Sequence, residues 1–380
     1  MSFDSLGLNP TILELLTSNN FTEAYPIQQQ VIPEANKGSD ILGIAKTGSG
    51  KTASFVLPIL NNLKGTSDDK SRNVKVLVLV PTRELAVQVS EVFKQFSLGL
   101  PDAIKTMAVF GGVSINPQMK ALYGVDVLVA TPGRLIELQE LKAVNLSQVS
   151  TLVIDEADRM LNLGFKDEMN KIFEMLPKKR QNLLFSATLN KNVSTIKKGL
   201  LNNPVVVKIT EPDNSLDLIN QIAYSVTDDK KGPLLRYLIK NANLQQVLVF
   251  VSSIKRADNV ANKLRNNGIE AWPIHSKKSQ GVRTDLLTKF KYGKLRVLVT
   301  TDLLARGIDI EFLPCVINYE LPRSPKDYIH RIGRTGRAEN PGQAIALITP
   351  DDEHHFSVIQ KKMGKQLELK ESASIELQGL

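Results

Sequence analysis

Short, nearly continuous runs of aliphatic residues constrain this chain more than any other feature. Val74-Lys75-Val76-Leu77-Val78-Leu79-Val80, Val125-Asp126-Val127-Leu128-Val129-Ala130, Thr151-Leu152-Val153-Ile154 and Asn182-Leu183-Leu184-Phe185 are too short for core helices and lack the polar alternation of a half-exposed strand. Such runs fit strands covered on both faces, the environment of a parallel sheet. The rhythm returns after residue 220 in Val247-Leu248-Val249-Phe250-Val251, Arg296-Val297-Leu298-Val299-Thr300, Val316-Ile317-Asn318-Tyr319 and Ala344-Ile345-Ala346-Leu347-Ile348, with amphipathic stretches such as Lys255 to Asn267 between them. Two α/β domains in tandem follow. A chain of 380 residues also exceeds what one core usually organises. The polar, turn-prone Thr210-Glu211-Pro212-Asp213-Asn214-Ser215-Leu216 separates the two sets. This reading places one domain at residues 1–209, a linker at 210–217 and a second domain at 218–380.

Composition excludes several alternatives. With 42% hydrophobic and 23% charged residues the chain is neither collagenous nor wholly disordered. The start, Met1-Ser2-Phe3-Asp4, lacks a basic region followed by an apolar one, and no apolar run approaches the roughly 18 residues needed to cross a bilayer. A cytoplasmic protein with no membrane partner is expected. The single cysteine, Cys315, forms no internal disulfide and is expected to be a buried thiol. The net charge of +9 is uneven: residues 1–220 carry 23 Lys and Arg against 22 Asp and Glu, and residues 221–380 carry 25 against 17. A basic second half suits a polyanion, and equally a solvated basic face.

The apolar segment ending at Ile44 is followed by Ala45-Lys46-Thr47-Gly48-Ser49-Gly50-Lys51-Thr52 and then by a helix-like stretch from Ala53. Glycines let successive backbone N–H groups wrap phosphate oxygens, with Lys51 directed at the β/γ-phosphates and the Thr52 hydroxyl at Mg²⁺. Thr47, Gly48, Ser49, Gly50, Lys51 and Thr52 are therefore the expected nucleotide cradle. The strand Thr151 to Ile154 ends in Asp155-Glu156-Ala157-Asp158. Carboxylates at the carboxyl end of a parallel strand share a sheet edge with such a loop. Asp155 is expected to hold Mg²⁺, with Thr52, and Glu156 to polarise the attacking water.

With these motifs in order, the sequence resembles the DEAD-box ATP-dependent RNA helicases, from Phe3 to about Lys370. The resemblance implies two RecA-like domains, ATP and Mg²⁺ as cofactors, and sequence-independent binding of single-stranded RNA or short duplexes by a monomeric core. Phe21-Thr22-Glu23-Ala24-Tyr25-Pro26-Ile27-Gln28 is similar to the adenine-reading segment of the family, with Gln28 facing N6 and N7 of adenine and Phe21 stacking on the ring. Ala24 and Tyr25 replace the family's proline and hydroxyl residue. Pro81-Thr82-Arg83-Glu84-Leu85-Ala86, Gly111-Gly112 and Thr131-Pro132-Gly133-Arg134 resemble RNA-facing elements, which assigns Thr82, Arg83, Gly111, Gly112, Thr131, Gly133 and Arg134 to RNA. Gln280-Gly281-Val282-Arg283 and Thr300-Thr301-Asp302 likewise assign Arg283 and Thr301.

Ser186-Ala187-Thr188 resembles the motif that couples the acidic site to strand separation, through Ser186, Thr188, Asp158 and His330. Arg306-Gly307-Ile308-Asp309 gives Asp309 to the ribose. In His330-Arg331-Ile332-Gly333-Arg334-Thr335-Gly336-Arg337, Arg334 and Arg337 look like arginine fingers on the γ-phosphate. The resemblance implies an RNA-stimulated ATPase that separates duplexes locally, with an ATP-gated RNA clamp as the alternative. The absence of a basic or Gly-rich tail suits a truncated core or a bacterial member of the RhlE-like branch. His354, His355 and Trp272 read as structural residues.

Overall fold

Fourteen strands among the described residues form two separate seven-stranded sheets. The computed structural model describes residues 2–46, 48–65, 71–209, 219–302, 313–336 and 342–372. Thr47, Asp309, Arg337 and the 210–217 linker lie outside the described residues. The chain divides into two compact units, Met1–Thr210 and Glu211–Leu380.

In the first unit the strands are β1 (Ile41–Ile44), β2 (Val76–Leu79), β3 (Thr106–Val109), β4 (Val127–Ala130), β5 (Thr151–Ile154), β6 (Gln181–Ser186) and β7 (Val205–Lys208), in the order β3-β4-β2-β5-β6-β1-β7. All pairings are parallel. Alternate residues of each strand enter opposite cores: Val76, Val78, Val153 and Leu183 pack beneath the helices near the N-terminus, while Leu77, Leu79, Leu152 and Leu184 pack on the other face. Both faces are dry, and this is why the strands read as continuous apolar runs.

The second unit repeats the plan. Its strands are β8 (Ile219–Ser225), β9 (Val247–Phe250), β10 (Ala271–Ile274), β11 (Val297–Thr300), β12 (Cys315–Asn318), β13 (Gly342–Ile348) and β14 (Leu369–Glu371), in the order β10-β11-β9-β12-β13-β8-β14. Counting from each sheet's own first strand, the two orders are identical. The tandem α/β expectation holds, and Cys315 is buried in the second core with its thiol pushed up to about 12 by burial. Trp272 departs from the packing expectation: it is 45% exposed on edge strand β10, its ring covered by the Arg265 guanidinium at 4.9 Å. No helix among the described residues is long and apolar enough to cross a membrane.

Parallel strands deliver their carboxyl ends to one edge, so the loops after β1, β2, β4, β5 and β6 share the same side of the first sheet. The spacing of β1 against β6 depends on Gly43, whose register partner is Phe185. A Cβ at Gly43 would lie 2.5 Å from the Phe185 ring. Gly43→Ala is expected to cost about 1–3 kcal/mol through overpacking, read as a lower urea midpoint. An unchanged midpoint would show that Phe185 has room to turn away.

Candidate functional site

The loop after β1 closes on its own lysine. Helix Lys51–Asn62 starts after Gly50, whose φ of 87° lies in the left-handed region. Lys51 is buried, and its Nζ donates to the carbonyls of Ala45 at 2.6 Å and Lys46 at 2.9 Å. The Ser49 hydroxyl donates to Lys46 O at 2.8 Å.

Gln28 clamps this loop from the first helix that packs on it. It is buried in helix Pro26–Asn36, its Nε2 donating to Gly50 O at 3.1 Å and its Oε1 accepting from the Tyr25 N–H at 2.8 Å. A Cβ on Gly50 would meet Gln28 Nε2 at 2.6 Å and the Tyr25 ring at 3.0 Å, so both the space and the φ require glycine. Each polar atom of the Gln28 amide keeps capacity for one more hydrogen bond. Phe21 is half-buried and meets Phe96 edge-on, with ring centroids 5.4 Å apart.

Asp155 ends β5 in a buried position. Burial pushes its carboxyl up to about 6 from the ordinary 3.8; Lys51 opposes the rise, Glu156 adds to it, and the Glu156 N–H, donating to Oδ1 at 2.9 Å, opposes it. Glu156 adopts φ 53° and ψ 47°, a left-handed conformation that costs a non-glycine residue about 1–2 kcal/mol. Its carboxylate accepts from Arg159 Nη1 at 2.9 Å, both side chains being mostly buried. Arg159 was not singled out from sequence, although its i,i+3 spacing from Glu156 is a legible ion-pair signal. Asp158 Oδ2 accepts from the Thr188 hydroxyl at 2.8 Å, and the Ser186 hydroxyl donates to Thr188 O at 2.7 Å. These three coupling residues therefore form one chain in the first unit, while His330 is exposed on the second.

Asp155 and Thr52 offer hard oxygens, the donor set Mg²⁺ prefers, and a buried carboxylate whose charge is disfavoured by its surroundings gains from a dication. Among the described residues no group of three or more His, Cys, Asp or Glu side chains could hold a metal.

The expected RNA residues of the first unit lie on the same edge. Thr82 caps helix Arg83–Ser97 by accepting from Leu85 N, and the Arg83 guanidinium packs against Gly112. Arg134 is not presented to solvent: it is 6% exposed, with Nε on Glu137 at 2.8 Å and Nη2 on the Val113 carbonyl at 2.8 Å. It braces the Gly111–Gly112 loop from behind. In the second unit Arg283 is buried in helix Gln280–Lys291, and Thr301 follows β11 half-buried. Arg331, given no role of its own in the sequence reading, is bonded through its guanidinium to Asp302, Asn318 and the Glu320 carbonyl.

The family description DEAD/DEAH box helicase matches residues 25–196, and helicase conserved C-terminal domain matches residues 230–339. The ATP-dependent RNA helicase CshA of Listeria monocytogenes is 37% identical over 96% of this chain and 69% of its own length. The DEAD-box ATP-dependent RNA helicase CshA of Streptococcus pneumoniae is 38% identical over 99% of this chain and 71% of its own. A solved structure of S. cerevisiae Dbp5 bound to RNA and ADP BeF3 matches with a TM-score of 0.83 at 30% identity, covering 97% of this chain and 95% of that one. A DEAD box protein from Methanococcus jannaschii matches with a TM-score of 0.54 at 35% identity, covering 98% and 99%.

The raised Asp155 carboxyl gives a signed expectation for the nucleotide-free protein in chelator. Between about pH 4 and 6 the folded state binds more protons than the unfolded one, so stability falls as pH rises, and the penalty is complete above 6. Asp155→Asn should therefore raise stability at pH 7.5 by about 1–3 kcal/mol, with the gain shrinking toward pH 4. A loss at pH 7.5, measured by thermal or urea unfolding, would mean that Lys51 compensates the burial in full.

Proposed function

Because this chain belongs to the DEAD-box family of ATP-dependent RNA helicases, two tandem RecA-like domains that hydrolyse ATP on RNA, we propose that the residues grouped on the edge of its first sheet carry out that reaction. The burial of Lys51 and Asp155 on one sheet edge carries this reading. Gln28 meets adenine N6 and N7 with the bonding capacity left on its amide, and Phe21 borders the base. The N–H groups of Gly48 to Thr52 and the Lys51 ammonium take the phosphates, Lys51 exchanging loop carbonyls for phosphate oxygens. Thr52 and Asp155 would hold Mg²⁺, which would neutralise phosphate charge. Glu156 accepts a hydrogen bond from the attacking water. The water oxygen bonds to the γ-phosphorus as the bond to the β,γ-bridging oxygen breaks, giving ADP and phosphate. Arg334 and Arg337 supply positive charge to the transferring group, and Asp309 meets the ribose.

For RNA, Thr82, Arg83, Gly111, Gly112, Thr131, Gly133 and Thr301 offer hydroxyls, amides and a guanidinium group suited to phosphate and 2′-hydroxyl oxygens rather than base edges, and Arg283, as buried as Arg134, reaches a phosphate only by turning outward. Contact is therefore independent of sequence. Arg134 contributes from behind, by holding the Gly111–Gly112 loop through Val113. The Asp158–Thr188–Ser186 chain, with His330, links hydrolysis to RNA release. The product is local, non-processive separation of short duplexes by a monomeric core with domains at 1–209 and 218–380, acting in the cytoplasm.

Glu156→Gln tests the assignment, since it keeps the volume and removes the charge that orients water. Steady-state hydrolysis should fall by about 10²-fold or more, while ATP and RNA affinities persist and the RNA complex becomes long-lived. Turnover within twofold of the parent would remove Glu156 from the mechanism.

A further inference from the structure

The two sheets share one strand order, yet their carboxyl edges are filled differently. In the first unit the edge carries the glycine loop, Lys51 and Asp155. In the second, protein cations occupy it. Arg256 reaches Glu320 at 2.8 Å and Asp228 at 2.6 Å, and Arg331 lies deeper, 3% exposed. Arg331 Nε and Nη2 grip Asp302 as a fork, at 2.5 and 2.7 Å, and Nη1 donates to Asn318 Oδ1 at 2.9 Å and Glu320 O at 2.6 Å. Its guanidinium stacks 4.8 Å from the centroid of the Phe250 ring. One side chain thus ties together the ends of β9, β11 and β12 and the last turn of helix Pro325–Ile332.

A buried guanidinium is costly, and an apolar residue would fill the same volume at less expense. What an apolar residue lacks is direction. Arg331 stands at the entry to the segment bearing Arg334: Arg334 N donates to Arg331 O at 3.2 Å. The far side is pinned separately, by Leu313 N on Arg334 O at 3.0 Å and by the Thr335 hydroxyl on Leu313 O. Arg334 is held between two anchors, one of them ionic and attached to the Asp302 that follows the RNA-assigned Thr301.

We propose that Arg331, through its fork on Asp302, is a positioning residue for hydrolysis that sets the place of the Arg334 backbone and so the aim of its side chain. The inference rests on the reading that Arg334 acts on the γ-phosphate. Lysine cannot replace Arg331 in this role, because an ammonium lacks the planar fork that reaches Asp302, Asn318 and Glu320 together.

The test is a double-mutant cycle on kcat at saturating ATP and RNA, using Asp302→Asn, Arg334→Ala and the pair in the full chain. Asp302→Asn should lower kcat by about 10- to 100-fold with the KM for ATP and the half-saturating RNA concentration within about twofold of the parent. Arg334→Ala should lower kcat by about 10³-fold. The double variant should be no slower than Arg334→Ala alone, because aim has no meaning without the side chain. Multiplying losses would overturn the proposal and leave the role of Arg334 intact. An Arg334→Ala protein with parental kcat would instead overturn the reading beneath it. If Asp302→Asn does not fold, as judged by its thermal transition, Arg331→Lys takes its place in the cycle with the same expected and contrary outcomes.

Discussion

A carboxylate and an ammonium buried together at the end of a parallel sheet are the constraint on which this structure rests. Asp155 and Lys51 are each almost inaccessible, and burial drives the carboxyl toward its neutral form while the lysine field resists. Neither group would be kept there for stability, since buried charges repay their desolvation poorly. On the proposed function, triphosphate and Mg²⁺ would bring the charges that the site lacks. The chain maintains the arrangement with uncharged devices: Gly43 lets β1 approach Phe185, Gln28 fixes Gly50, and the Ala45 and Lys46 carbonyls hold the lysine in wait. Asp40 adds a further tie, accepting from Asn182 N and Asn202 N and so fastening the start of β1 to its neighbours β6 and β7.

The same topology serves two purposes in one chain. In the second unit Lys231 opens the helix after β8, as Lys51 opens the helix after β1, and it too is buried. No glycine loop precedes it, and its Nζ lies 3.6 Å from Asp352 and 5.9 Å from the centre of the Tyr319 ring. Glu320 follows β12 where Glu156 follows β5, with Tyr319 in the place of Asp155, and it accepts from Ser252 N, the Ser252 hydroxyl and Arg256. The edge that is left for a ligand in the first unit is satisfied from within in the second. A sheet edge closed in this way is a rigid base on which to mount arginines.

Legibility in the sequence followed burial. The central strands β2, β4, β5, β6, β9, β11, β12 and β13 were readable because both of their faces are dry. The four edge strands, β3, β7, β10 and β14, were not: Thr106-Met107-Ala108-Val109 and Ala271-Trp272-Pro273-Ile274 mix residue types because one side meets solvent or a loop. The nucleotide loop and Asp155-Glu156-Ala157-Asp158 were readable because their chemistry is local. Arg134 and Arg331 were not, since each looks like its solvent-facing neighbours and is distinguished only by distant partners, Val113 for one and Asp302 for the other. Trp272 misled for the converse reason, a large ring on an exposed edge under Arg265.

On the proposed function the first unit is a nucleotide site whose chemistry waits on RNA, because the arginines assigned to the γ-phosphate belong to the other unit. The most direct test is the steady-state rate of ATP hydrolysis by the unmodified chain with no nucleic acid, with single-stranded RNA, and with DNA of the same sequence. RNA should raise kcat by an order of magnitude or more, and DNA, lacking the 2′-hydroxyl, should raise it far less. A rate that is already maximal without nucleic acid, or equal stimulation by RNA and DNA, would contradict it.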